Sequence, residues 1–394
     1  MHKFDSNHLA LARIAHFSER RRFVKALLAI SAGIMLPELS VASAQLANIM
    51  VSAFRHSDRQ RFGVAVMNEQ GKILQIVSLP GRGHASLYHK YHHQLLTFAR
   101  RPGRFIQVNH FFKDQKTLEI ASAEDRHFYG HGCFSASGTQ LFATENNYRQ
   151  AQGVIGIYDV NNDYKRLGEF SSYGVGPHDI RLLADGQTLL VANGGIETHP
   201  NTGREKLNLF EMQSNLALID SRSGQLIKTI RLSPQYQQLS LRHLAINDAG
   251  ECYVAGQYQG ALEDMPPLVG TLTKAGTLAL WDIPIAYLVQ LKSYISAIQA
   301  IPNSPLVAIT SARGGVVLVY NTQKNRVEQF VDIKDVSGVA GLGNTLVVSS
   351  GKGGIYQGYG HADGMQRLGD FAGQELLQWD NHLLALNGGS SGPF

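Results

Sequence analysis

Seven times over, the chain repeats one unit: a loop, an inner strand, a tight turn, and a second apolar strand ending in Gly or Asn. The copies read HASLYHKYHHQLLTFARRPG from His84, HGCFSASGTQLFATENN from His131, HDIRLLADGQTLLVANGG from His178, RHLAINDAGECYVAGQYQG from Arg242, SAIQAIPNSPLVAITSARGG from Ser296, SGVAGLGNTLVVSSGKGG from Ser337 and QELLQWDNHLLALNGG from Gln374. Between them lie second hairpins such as GVIGIYDVNNDYKRLGEF (153–170) and GGVVLVYNTQKNRVEQF (314–330). The hydrophobic period is two almost throughout, which marks short strands. Four strands per unit, recurring every ~40–60 residues, form a β-propeller blade. A two-sheet sandwich array would not leave half-units at both termini. Here FGVAVMNEQGKILQIVSL (62–79) supplies the pair that the last copy lacks. The expectation is a seven-bladed, all-β propeller spanning 45–394, in which N-terminal strands close the last blade in a two-plus-two arrangement and remove the open sheet edges.

Residues 1–44 are of another kind. Arg20-Arg21-Arg22-Phe23-Val24-Lys25 precedes an apolar run from Ala26 to Leu36, and Ala42-Ser43-Ala44 precedes Gln45. This resembles a twin-arginine export signal with an A-x-A cleavage site, so the expected location is the periplasm after cleavage behind Ala44. Eleven apolar residues are too few to span a bilayer core that needs about 20, so no membrane span is expected. The leader also decides how the charge is read. The whole chain is formally +5, but the leader carries six Lys and Arg against three Asp and Glu, leaving the mature chain close to neutral. A nucleic-acid partner is therefore not expected.

In a propeller, the loop entering each inner strand and the loop leaving the second strand open on one face. The entering set is rich in histidine: His84, His131, His178 and His243 at near-equivalent positions of four consecutive units. Such histidines can hold loops by hydrogen bonds to neighbouring blades, ligate a transition metal as neutral imidazoles, or line a polar ligand pocket. Glu145, Asn146, Asp179, Asn193, Glu197 and His199 stand near them as candidate ligand-binding or orienting groups. Arg242, Arg313 and Lys352 would bring positive charge to the same face, suited to carboxylate, phosphate or an acidic partner. The longest interruption, Ile196 to Asn215 in the third unit, is expected to fold over the channel mouth. Cys133 and Cys252 fall in different blades and read as buried thiols too far apart to bridge. No G-x-S-x-G, CxxC, CxxCH or HExxH is present.

The segments GHGCFSASGTQLFATENNY, GPHDIRLLADGQTLLVANGGIETHPNTGREKLNL, LSLRHLAI and QWDNHLLAL resemble an uncharacterised bacterial family, domain-of-unknown-function family 1513, over essentially the whole mature chain. The resemblance implies an exported propeller encoded near imelysin-type and di-haem oxidase-like proteins in iron-responsive clusters. Other exported proteins of such a cluster are the partners it implies. It carries no catalytic residues over to this chain, and fold alone does not settle function. The leading expectation is a binding protein linked to uptake of iron or another metal, with a transition-metal ion at His84, His131, His178 and His243. A lyase or lactonase using the histidines as acid and base, and a protein-interaction scaffold, are the alternatives.

Overall fold

The computed structural model describes residues 48–57, 61–111, 117–358, 364–369 and 376–387. The expected export signal lies outside them. The described residues form seven four-stranded antiparallel sheets, so the seven-bladed propeller is observed. Numbering blades by the repeats, the innermost strands of blades 1 to 7 are Gly83–His89, Arg126–Phe134, Pro177–Leu182, Leu239–Ile246, Ala297–Ala300, Val336–Leu342 and Leu377–Leu386. Each blade then runs outward to a more exposed strand, as in Arg326–Asp332 of blade 5, whose exposed face carries Arg326, Glu328 and Asp332.

Ring closure differs from the two-plus-two expectation. The described residues 376–387 of the last copy do not fold as a hairpin; their strand runs from Leu377 to Leu386 and pairs with Ile49–His56, from Ile49 opposite Leu386 to His56 opposite Leu377. Phe62–Met67 and Ile73–Leu79 complete the sheet, so closure is one strand plus three. The physical reason lies in Ile49–His56, which is buried on both faces and shows no period-two alternation to mark it as a strand.

The core is a set of apolar layers between neighbouring blades. Trp281 of blade 4 stacks on Tyr320 of blade 5 at 4.5 Å between centroids, with Leu318 and Ile309 beside them. Between blades 1 and 2, Gly132 leaves room where a side chain would run into the Phe98 ring and the Phe142 carbonyl. Cys133 and Cys252 are free and buried; burial pushes the Cys133 thiol up to about 12. No helix among the described residues is long and apolar enough to cross a membrane.

Candidate metal centre

The innermost strands are not regular where the histidines stand. Pairing with the second strand slips between Gly83 and Ser86, bracketing His84; between Phe128 and Gly132, bracketing His131; and between Pro177 and Asp179, bracketing His178. In blade 4 the slip falls at Arg242, directly before His243. In blade 7, Trp379 pairs with Phe54 and Leu383 with Ser52, so Asp380, Asn381 and His382 bulge out opposite Ala53. A bulge leaves residues outside the ladder, bends the strand and re-aims their side chains. Five adjacent blades thus aim a histidine at one point. Blade 5 pairs without a slip, and the blade 6 slip carries Ser337.

The four sequence-predicted histidines converge, and His382 joins them. Ring centroids lie 5.2 Å apart for His84 and His131, 5.1 Å for His131 and His178, and 4.8 Å for His178 and His243. His382 sits 4.4 Å from His84 and 4.5 Å from His131. Two triads, His84/His131/His382 and His131/His178/His243, each bring one nitrogen per ring within 4.8 Å of the others. Tetrahedral coordination at about 2.1 Å implies N···N separations of about 3.4 Å, so side-chain adjustments of about an ångström close either triad on an ion. His382 was missed in sequence because QWDNHLLAL reads as a hairpin there. The signal that finds it is a histidine directly before an apolar run, shared by His243-Leu244-Ala245 and His382-Leu383-Leu384.

Hydrogen bonds on the outward nitrogens set which lone pairs face inward. His84 Nδ1 donates to Asp380 Oδ1 at 2.8 Å, and His178 Nδ1 donates to the Arg242 carbonyl at 3.1 Å. Both partners are acceptors, so each ring keeps an unprotonated Nε2. His131 Nδ1 lies 3.4 Å from Asp179 Oδ1. Nε2 of His131, His243 and His382 is buried without a hydrogen-bond partner, as is Nδ1 of His243. Burial pushes His84 down to about 3, and pushes His178, His243 and His382 well below their ordinary 6.5, with neighbouring imidazoles adding to the effect. The His84–Asp380 contact is accordingly a hydrogen bond from neutral imidazole to carboxylate rather than an ion pair.

The two carboxylates are held ionised from behind. Burial acts against the Asp380 charge, but Arg100, the His84 N–H and Arg82 outweigh it and hold the carboxyl well below its usual range. Arg82 Nε and Arg100 Nη1 donate to Oδ2 at 2.7 and 2.8 Å. Asp179 is treated alike: burial opposes its charge, while Arg181, His131 and the Leu244 N–H at 3.0 Å hold it below the usual carboxylate range. A carboxylate behind a ligating imidazole fixes its tautomer and raises its basicity.

Over the histidines lies a cavity of about 190 Å³, lined by His84, His178 and His243 together with Arg100, Arg101, Arg204, Lys206, Arg242 and Arg313. The loop Ile196 to Asn215 does reach this mouth, through Arg204 and Lys206, and Lys206 Nζ donates to Gln259 Oε1 at 2.6 Å. Arg242 is 7% exposed, and burial, with Arg101 adding repulsion, pushes its guanidinium down to about 9.

Other sequence-predicted residues are placed elsewhere. Glu145 accepts from Tyr158 Oη and Arg166 Nη2 inside blade 2. Asn146 Nδ2 bonds His127 Nε2 and the Thr198 carbonyl, and Asn193 Nδ2 bonds the Ser172 carbonyl and Asn215 Oδ1. Glu197 and His199 lie in the long loop, where the Glu197 N–H donates to Asn208 and His199 caps a short 3-10 turn. Lys352 lies in a blade 6 turn, where its charge acts on Asp335. None of the six lines the cavity. Arg100, Arg101 and Asp380 carry no motif that would mark them; only convergence of blades does.

Comparison with known proteins follows the same division between fold and site. Among solved structures, hydrazine synthase of Kuenenia stuttgartiensis superposes with a TM-score of 0.57 at 11% identity, covering 75% of this chain and 91% of that chain. That likeness concerns the fold alone. No curated protein matches the sequence. A family model described as "Protein of unknown function (DUF1513)" matches residues 77–386.

Proposed function

We propose a metal-binding role for this chain, which belongs to the DUF1513 family of proteins of unknown function. The reading is a periplasmic propeller that binds a transition-metal ion at His84, His131, His178, His243 and His382, in service of iron or other metal uptake. One observation carries it: Nε2 of His131, His243 and His382 is buried without a partner where five imidazoles converge. Each unsatisfied buried polar atom costs about 1–3 kcal/mol, and a cation shared by inward lone pairs relieves several at once. Imidazole donors suit zinc, copper, iron and nickel. The family resemblance makes iron the first metal to test. The acid–base enzyme reading has less support, because burial pushes these imidazoles well below 6.5, away from the operating pH that a general acid or base should match.

Export rests on the residues of the leader. Cleavage behind Ala44 would leave every described strand intact, since the first begins at Ile49. Mass spectrometry of exported protein should find Gln45 at the N-terminus; an uncleaved chain would refute the leader reading. For the site, equilibrium dialysis of chelator-stripped protein against Fe(II), Zn(II) and Cu(II) should give about one ion per chain, weakened about 100-fold or more in His131→Ala. Binding unchanged in His131→Ala would refute the site.

A further inference from the structure

The mouth above the histidines is built for negative charge. Six cations line it and no Asp or Glu does. They come from four blades: Arg100 and Arg101 behind the second strand of blade 1, Arg204 and Lys206 from the blade 3 loop, Arg242 from the innermost strand of blade 4, and Arg313 behind the second strand of blade 5. This is convergence rather than a solvated run of like charge. Arg100 engages Asp380, but Arg101, Arg204, Lys206, Arg242 and Arg313 form no ion pair among the described residues. Arg242 is 7% exposed and its Nε has no hydrogen-bond partner. A buried cation without a counter-charge is costly, so the fold keeps it for a ligand. The donors are also held in place: Lys206 on Gln259, and the Arg313 guanidinium over the Tyr294 ring at 4.5 Å from its centroid. A cavity of about 190 Å³ suits a molecule of roughly eight heavy atoms, since about 150 Å³ takes the six of benzene.

We infer that this mouth binds a small oxyanion with at least two negative charges, of the carboxylate or phosphate type, held by Arg101, Arg204, Lys206, Arg242 and Arg313. Because His84, His178 and His243 line the same cavity, the anion lies against the face of the metal centre and shares the ion. That last clause rests on the metal-binding reading; the anion site itself does not. The cargo would then be a metal–oxyanion complex rather than a bare cation.

Isothermal titration calorimetry of the metal-free full chain with citrate, succinate and inorganic phosphate tests the site, with glycerol as the neutral control. At least one anion should bind with a Kd below about 1 mM, and more weakly as salt rises. The preferred anion assigns the ligand to the carboxylate or the phosphate class. Arg204→Ala and Lys206→Ala lie in a loop outside the blades, and each should weaken binding about tenfold, the loss expected for one charge-assisted contact. Kd values above about 10 mM for all three anions, or affinities unchanged in both variants, would overturn the anion site. Zinc titration without anion reports the metal reading separately. With zinc bound, the preferred anion should gain about tenfold in affinity; no gain would overturn the shared-ion clause.

Discussion

Lowering the pH from 7.5 to 5.0 should destabilise the metal-free protein, by at most about 2 kcal/mol for each histidine that stays neutral in the folded chain. Burial holds His84 down to about 3 and His178, His243 and His382 well below 6.5. In the unfolded chain the same groups titrate near 6.5. Their folded values are depressed, so the stability they contribute is fully present above 6.5 and is lost as pH falls from 6.5 toward 3. At pH 5.0 the unfolded chain binds a proton on nearly all four, while burial opposes protonation of each in the folded chain. His84, held down to about 3, then contributes RT ln(1 + 10^1.5), about 2 kcal/mol, and about 2 kcal/mol is the ceiling for each of the other three. At that ceiling, four such groups approach the whole stability of an ordinary domain, about 5–15 kcal/mol. Asp179 and Asp380 stay outside this window because carboxylates in the unfolded chain titrate near 3.8. Differential scanning calorimetry in chelator at pH 7.5, 6.5, 5.5 and 5.0 gives the proton uptake from the slope of Tm against pH. The slope should correspond to at least two protons near pH 5, from His84 and from His127, which burial pushes down to about 4, with the other buried histidines adding to the total. Uptake of one proton or fewer would refute the picture of a neutral, water-excluded histidine cluster.

Three substitutions separate the roles of neighbouring groups. Asp380→Asn should weaken metal binding about 10–100-fold by loosening the His84 tautomer, and cost about 3–5 kcal/mol because Arg82 and Arg100 lose their shared anion; an affinity within twofold of wild type would refute the orienting role. Gly130 has φ +105°, and a Cβ there runs into the His84 ring, so Gly130→Ala should displace that ring and lower metal affinity about tenfold or more with the far-UV spectrum retained. Glu145→Ala should cost about 1–3 kcal/mol in denaturant titrations by leaving the buried Tyr158 hydroxyl without its acceptor while Arg166 keeps Glu169, with metal affinity unchanged; loss of metal there would return Glu145 to the site.

The repeat made the architecture legible, because propeller turns and period-two strands are local signals. The closure was misassigned where that signal vanishes. Ile49–His56 is buried on both faces and so reads as an undivided apolar run next to the leader. The ten-residue strand Leu377–Leu386 carries Asp380, Asn381 and His382 in its bulge, and three polar residues inside an apolar segment look like a turn. The same misreading hid His382. The other four histidines were found because they stand at near-equivalent positions in the loops that enter four consecutive inner strands. Arg204 and Lys206 belong to the loop expected over the mouth, whereas Arg100 and Arg101 carry no signal in sequence, since the cavity that joins them is assembled from blades far apart along the chain.

The central claim is that the histidines hold one metal ion. X-ray absorption at the metal edge, with elemental analysis of exported protein after mild repletion, tests it most directly. About one ion per chain is expected in an imidazole-dominated nitrogen shell at about 2.0–2.1 Å, lost in His131→Ala and His382→Ala. Less than about 0.1 ion per chain, or a shell without imidazole scattering, would contradict it.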